Sequence, residues 1–169
     1  KSIAQFHKQM LERVSALPGV QSAGIISKLP MQEWGFNGSI QIEGQAPTRP
    51  GTRDSFVEFR VVSPGYFATL GIPLVAGRML DDRDQENTSP SIVVNQTLVH
   101  QYLPGQDAIG KSVVIDNAKY QIVGVVGDVR QSGLAQSARA EIYWPYTQSP
   151  DTSLTQTVSL AVRAAGNPT

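Results

Sequence analysis

The stretch Phe56 to Leu80, FVEFRVVSPGYFATLGIPLVAGRML, decides the fold. It reads as strand, short helix, strand, with each boundary marked. Phe56, Glu58, Arg60 and Val62 alternate with Val57, Phe59 and Val61, so one face is wholly apolar and the other mixed. Ser63 stands at a helix N-cap, and Pro64 takes the first helical position, where a missing N–H costs nothing. Tyr66, Phe67 and Leu70 follow at helical spacing, and Gly71 is placed to close the turn. Ile72, Leu74 and Val75 resume an extended run before Gly77. The segment specifies a scaffold and contains no nucleophile, base or ligand cluster.

Upstream, Ile3, Phe6, Met10, Val14 and Leu17 recur at spacings of three and four. They predict an amphipathic helix with Gln5, Lys8, Gln9, Glu12 and Arg13 outside, stopped by Pro18-Gly19. Val20 to Ser27 reads as a strand leading out of that helix. Lys28 to Gly38 is irregular, Ser39 to Glu43 is an edge strand with Ile40 and Ile42 on one face, and Gly44 to Asp54 is a loop. Downstream, a polar loop from Asp81 to Pro90 precedes a strand at Ser91 to Val94. Asn95 caps a helix from Gln96 to about Leu103. Ser112 to Ile115 and Tyr120 to Val129 form a hairpin about Asp116-Asn117. The second of these strands is apolar on both faces, which places it centrally, and Gly124 and Gly127 mark close packing or a bulge. Glu141 to Trp144 is a strand ended by Pro145, Thr147 to Ser153 is linker, and Thr157 to Arg163 is a last strand. The mixed order of short strands and few helices gives an α+β fold.

Composition removes whole classes of function. The chain has 169 residues, enough for one domain or two small lobes. Its 14 basic and 14 acidic residues cancel, which argues against a nucleic-acid footprint and a polybasic membrane surface. Cysteine is absent, so there is no disulfide framework, thiolate metal site or cysteine nucleophile. No apolar run approaches the roughly 18 to 20 residues of a membrane span. The sequence opens at Lys1 without a signal peptide and reads as a piece of something longer.

Candidate chemistry is sparse. Asp82, Asp84 and Glu86 fall at positions 1, 3 and 5 of a calcium loop, but Asn87 replaces the glycine and Val93 the final glutamate, so a solvated loop is the better reading. His7 and His100 each lie on a predicted helix without neighbouring ligands, so no metal site is expected. No G-x-S-x-G elbow, G-x-G-x-x-G or Walker-type loop occurs, and no cofactor is expected. Asp128 and Arg130 read as a structural ion pair or loop anchor. The residues left for partner contact are aromatic: Trp34 and Phe36 in a glycine-bearing loop, and Trp144, which competes with a role plugging the end of a lobe.

Three segments match one family pattern in order and spacing: VSPGYFATLGIPLVAGR (Val62 to Arg78) followed by Asp81-Asp82; IVVNQTLVHQYLPGQDAIGKSV (Ile92 to Val113); and YQIVGVVGDVRQSGL (Tyr120 to Leu134) followed by IYWPYTQ. The opening helix with LPGVQSAGIISKLP fits as well. The chain resembles, over nearly its whole length, the periplasmic core domain of MacB-like and FtsX-like ABC transporter permeases, and is especially similar to those of acidobacteria. The resemblance implies two lobes: a porter-like α/β lobe over residues 1–71 with 147–169, and an inserted, smaller sabre-like mixed α/β lobe over 72–146. It implies a place on the periplasmic side of the bacterial cytoplasmic membrane, between two membrane helices, so both chain ends are expected to converge on one side.

The resemblance further implies a non-catalytic role in mechanotransmission, coupling cytoplasmic ATP hydrolysis to export or to extracytoplasmic partners. The implied partners are the permease's own membrane helices, an ABC ATPase subunit or domain, and a periplasmic adaptor or exported substrate. A dimeric full-length permease and a monomeric isolated domain are implied, with no nucleic acid. Two readings compete with it. A stand-alone periplasmic peptide- or lipid-binding module would show a deep apolar pocket. A hydrolase would cluster His100 with a serine and a carboxylate.

Overall fold

The strand predicted at Phe56 to Val62 forms as β4 (Val57–Val62), and all six of its residues are buried. Its position explains why. In the computed structural model, which describes residues 2–30, 36–45, 56–129, 137–151 and 153–166, both edges of β4 are paired. One edge runs parallel to β9 (Glu141–Pro145) through five residue pairs, Glu58 with Glu141 to Val62 with Pro145. The other edge is shared by β1 (Val20–Ile26) at Val62 and β2 (Phe36–Gly38) at Val57 to Phe59, both antiparallel. The mixed face of the sequence pattern is therefore as buried as the apolar one.

The helix after β4 is α2 (Tyr66–Leu70), and Gly71 closes it in the left-handed conformation at φ 69°. Its start differs from the sequence expectation. Gly65 is the N-cap and makes no side-chain cap. The Ser63 hydroxyl instead accepts the Ile25 N–H at 3.0 Å, while the Ser63 N–H donates to the Ile25 carbonyl. Serine here ties the turn to β1 and leaves the helix end to glycine. The two chains then run in backbone contact. A Cβ on Gly24 would stand 2.4 Å from the Tyr66 Cα, and one on Gly65 would stand 2.2 Å from the Ala23 carbonyl oxygen.

Beyond α2, β5 (Leu74–Gly77) pairs antiparallel with β8 (Ala118–Val126). β6 (Ser91–Asn95) runs parallel to β8 on its other edge, and α3 (Gln96–Tyr102) connects them by way of β7 (Ser112–Ile115). Asn95 caps α3 as expected, its side chain accepting the Leu98 N–H. Asp116 and Asn117 take φ 49° and 66° in the β7–β8 turn, the left-handed pair that a two-residue hairpin needs. A bulge at Val123 breaks the β6–β8 register, and a Cβ on Gly124 would meet the Arg78 carbonyl at 2.0 Å. Both readings of Gly124 hold.

Among the described residues the sheet has ten strands and is mixed, in the order β10-β1-β4-β9-β6-β8-β7-β3, with β3 (Gln41–Ile42) and β10 (Ser159–Ala164) at the ends and β2 and β5 paired off this path on β4 and β8. Alternation along its central strands separates two cores. Phe59, Ile92, Ile142 and Trp144 face one side; Val62, Val93, Tyr143, Tyr66 and Phe67 pack on the other. The architecture is α+β as the sequence implied. The segments 1–71 with 147–169 and 72–146 share this one sheet. The first contributes β10, β1, β2 and β4; the second contributes β9, β6, β8, β7 and β5; β3 crosses over to pair β7.

Helix α1 (Ile3–Ser15) packs on β1 with a different face from the one expected. Ala4, His7, Leu11 and Val14 turn inward, His7 being buried, whereas Phe6 and Leu17 are 61% and 56% exposed. The apolar stripe lies about a quarter-turn from the sheet-facing side. A short helix, α4 (Ser153–Gln156), forms between the segment read as linker, which ends at Ser153, and the last strand. Its four polar-biased residues carry no apolar period.

The glycine contacts are testable. Gly24→Ala and Gly65→Ala should each cost about 3 kcal/mol in urea unfolding, because backbone lies where the methyl must go. Gly105→Ala, at φ 70° with open space around it, should cost about 1 kcal/mol from the left-handed backbone alone.

Candidate interaction surface

Two of the three aromatic residues expected at a contact surface are brought together. Phe36 on β2 pairs with Phe59, their rings 5.7 Å apart; Phe59 packs on Trp144 at 4.9 Å, and Trp144 on Tyr120 at 5.7 Å. The column runs from solvent to core. Phe36 is 50% exposed at its outer end, while Trp144 is 1% exposed inside it. Trp144 is thus a core side chain and presents no contact face in this structure. Trp34 lies outside the described residues.

Beneath the opposite face lies a buried charged group that the sequence marked only as a mixed pattern. Arg60 stands between Glu58, at 3.5 Å, and Glu141, at 3.9 Å, and all three are almost fully buried. The Tyr143 hydroxyl donates to Glu141, and Arg139 approaches Glu58 from the surface at 3.5 Å. Burial, with Glu141 adding to it, pushes the Tyr143 phenol far above its ordinary range. Its proton is therefore held, and the hydroxyl acts as a donor. The arrangement balances charge across the β4–β9 ladder. It offers no nucleophile paired with a base. His100 is exposed on α3, with no serine or carboxylate hydrogen-bonded to it among the described residues. His7 is packed against the Tyr146 ring at 6.2 Å, and burial lowers its pKa, so it sits neutral under α1.

The acidic loop is held by arginines. Arg78 grips Asp84 with two hydrogen bonds of 2.8 and 2.7 Å, and Arg83 binds both carboxylate oxygens of Asp81. Of the three carboxylates in the calcium pattern, Asp84 is already taken by Arg78. Gln148 fixes the rest of the loop, donating to the Gln85 carbonyl at 2.8 Å and the Thr88 hydroxyl at 2.9 Å while accepting the Ser91 N–H. Asp128 accepts from the Thr97 N–H and hydroxyl, both at 2.9 Å, and so serves as a second anchor for the start of α3. Arg130 lies outside the described residues. A cleft of about 350 Å³ opens between this loop and the start of α1, lined by Ser2, Glu86, Thr88, Tyr120, Tyr146 and Gln148. It has the volume of a small ligand site, but it is an open cleft with a mixed wall that also takes in Ile3, Ala4 and Pro90, unlike the deep apolar pocket of a binding module.

The loop predicts acid sensitivity. Hydrogen bonds from Arg83 hold the Asp81 carboxyl far below the usual range. For Asp84, burial works to raise the pKa, and the hydrogen bonds of Arg78 and of the Asp81 N–H outweigh it. Both are depressed in the folded state, so the stability they contribute is present above the unfolded value of about 3.9 and is lost as pH falls below it. Asp84→Asn should lower the melting temperature clearly at neutral pH, and its deficit relative to the natural chain should shrink as pH drops through about 4.

Residues 6–168 match the family described as the MacB-like periplasmic core domain. The macrolide export ATP-binding/permease protein MacB 2 of Aeromonas hydrophila is 29% identical over 118 residues, covering 65% of this chain and 18% of that protein. MacB of Bartonella henselae is 26% identical over 147 residues, covering 85% of this chain and 22% of that protein. The chain therefore spans about a fifth of the length of these relatives. The periplasmic region of MacB from Actinobacillus actinomycetemcomitans superposes with a TM-score of 0.65 at 16% identity, over 96% of this chain and 66% of that one. The extracellular domain of the ABC-type transporter YknZ superposes with a TM-score of 0.61 at 13% identity, over 94% of this chain and 73% of that one. With a match that takes in nearly every residue and a fold shared with both solved domains, the chain belongs to the MacB-like periplasmic core domain family.

Proposed function

We propose that this chain is the extracytoplasmic domain of an ABC transporter permease, acting by transmitting movement and not by catalysis. The observation that carries the reading is the family match over residues 6–168. Relatives named as macrolide export ATP-binding/permease proteins support it, since the chain spans 18% and 22% of two of them. In this reading the membrane helices and the ATPase lie elsewhere in the assembly. Among the described residues, no helix is long and apolar enough to cross a membrane.

The fold supplies a path for force. α1 joins β1 through the tight turn at Pro18-Gly19, and the Ala165 N–H binds the Gly19 carbonyl at 2.7 Å. Displacement at that corner is passed to β1 and β10 together. From β1 it reaches α2 through the glycine contacts and β4 through the sheet. The buried charges on the β4–β9 ladder carry it to the 72–146 segment, the sabre-like lobe of this reading. The partners are the permease's membrane helices, an ABC ATPase, and an adaptor or exported substrate on the periplasmic side, with the full-length permease as a dimer. Phe36 and Trp34 are the contact residues for that outer partner. The alternative, a stand-alone module for a peptide or lipid, rests on the 350 Å³ cleft, whose open, mixed wall makes it the weaker reading.

The parent protein tests this. A single cysteine replacing exposed Lys8 should react with a membrane-impermeant maleimide in intact spheroplasts, and removing residues 6–168 should stop export while leaving basal ATP hydrolysis intact. Labelling only after the membrane is opened would rule the reading out. So would any turnover of a small molecule by the purified chain.

A further inference from the structure

Helix α1 is held to the domain by one buried side chain, and that side chain titrates. Of the 13 residues of α1, only His7 is buried, at 3% exposure. Ala4, Leu11 and Val14 beside it are half-buried, and the apolar Ile3 and Phe6 are exposed. Neither hydrophobic core takes in a residue of α1. The helix therefore rests on the fold as a separable piece, with an imidazole at the centre of its contact. The Tyr146 ring meets that imidazole edge-on, and the His7 Nδ1 is buried with no hydrogen-bond partner among the described residues. An imidazolium there would need an acceptor, and the elements packed on α1 offer none. β1 and α4 carry no ionisable side chain. One turn away on α1 itself stand Ile3, Ala4, Met10 and Leu11. Tyr146 presents a phenol that burial keeps protonated. The carboxylates around this contact lie at its rim. Glu12 and Asp82 act on the Tyr146 hydroxyl, Glu86 lies across the cleft from the first turn of α1, and Asp151 before α4 is engaged by Ser153. Lys8 and Arg13 are exposed on the helix and oppose any added positive charge. Burial prevails and lowers the His7 pKa.

We propose that α1 is an acid-released arm: adding a proton to His7 detaches the helix from the sheet while the two cores stay folded. Docked, the ring must be neutral. Detached, it lies in water and is free to take a proton. The detached state therefore binds more protons below the ordinary imidazole value of about 6.5. Docking is at full strength above that pH and weakens as pH falls below it, by up to about tenfold per pH unit for one proton. A 13-residue helix without its sheet is marginal in water, so release also unwinds it. The corner at Gly19 stays tied by the Ala165 N–H, and β1 keeps its pairing with β10. Release thus frees the arm and not the sheet. The switch belongs to the domain and needs no permease around it. In the permease reading, the arm would lose its grip as the extracytoplasmic side acidifies, and less movement would be passed on.

Hydrogen exchange in the 169-residue chain tests this, with rates corrected for the intrinsic effect of pH. Between about pH 7.5 and about pH 5.0 the amides of α1 should lose roughly tenfold in protection, while those of β4 and β9 keep theirs. That window stays above the range in which Asp81 and Asp84, both depressed, take up protons. His7→Phe should keep the α1 amides equally protected at both values. Proton NMR of the natural chain gives a reading independent of that variant. The His7 ring, told apart from His100 by His100→Gln, should titrate below about 6.5. Unchanged α1 protection across the window would overturn the switch, as would a His7 ring titrating at or above that value. Loss of protection in β4 together with α1 would make the transition global and end the idea of a local release. A loss of α1 protection that persists in His7→Phe would assign it to another group. None of these outcomes bears on the permease reading, since the chain is tested without membrane helices or ATPase.

Discussion

Where α2 crosses β1, backbone lies directly against backbone, and only glycine on both sides permits it. Gly24 and Gly65 leave no room for a methyl group, and Ser63 closes the contact with a hydrogen bond to Ile25. The constraint sits at the exit of β4, so it fixes the direction in which the chain leaves the sheet. The same device recurs at the other end of the organising segment. Gly77, at φ 72°, would place a Cβ 2.3 Å from the Val123 carbonyl, and Gly124 faces the Arg78 carbonyl. Between these two points the segment is pinned to β1 at its start and to β8 at its end. Much of the sheet's order follows, because β4 pairs with β1, β2 and β9, and β8 pairs with β5, β6 and β7.

The second constraint is electrostatic. Placing Arg60 inside the sheet is costly unless its charge is matched, and Glu58 and Glu141 on adjacent strands match it. Parallel pairing sets Glu58 opposite Glu141 and Arg60 opposite Tyr143. A slip of one residue would turn Phe59 and Val61 onto the charged face and strand the arginine among the apolar side chains of the other core. The charges thereby favour a single register between β4 and β9, the ladder that joins the two stretches of chain. Their worth is in specificity of pairing more than in net stability.

Much of this is legible in the residues. Gly71, Asn95 and Asp116-Asn117 each announce a cap or turn by a local rule, and the structure places each in that role. Gly124 is legible as close packing or a bulge because a glycine inside an apolar strand gives the core no side chain and makes room for a backbone instead. What stays hidden depends on distant partners. The hydroxyl of Ser63 has a local use as a cap and a distant one at Ile25, and the distant one prevails. Trp144 reads as either a contact or a plug at the end of a lobe, because nothing in its neighbourhood reveals that Phe59 and Tyr120 enclose it. The acidic loop is legible as a poor calcium site from Asn87 and Val93, but the arginine clamps on Asp81 and Asp84 are known only from the fold. α1 is the most instructive case. Its apolar stripe is plain from spacing, yet Ile3, Phe6 and Leu17 of that stripe stay exposed, since periodicity gives a face and not what covers it.

That distinction bears on function. A helix on the surface of a sheet buries one side; a helix whose apolar stripe lies a quarter-turn away is shaped for two neighbours. Phe6 and Leu17 remain in solvent while a histidine takes the position against the sheet. Burying neutral His7 in place of Phe6 sacrifices apolar area at the α1–β1 contact and retains it on the flank. If the domain transmits displacement as proposed, this division is useful. The inner contact of α1 is modest and the corner at Gly19 is tied by a backbone hydrogen bond, so the helix can shift on the sheet while staying coupled to β1 and β10 at that corner. A helix sealed to the sheet by its whole apolar stripe would move only with the entire domain, and no relative motion would be left to pass on.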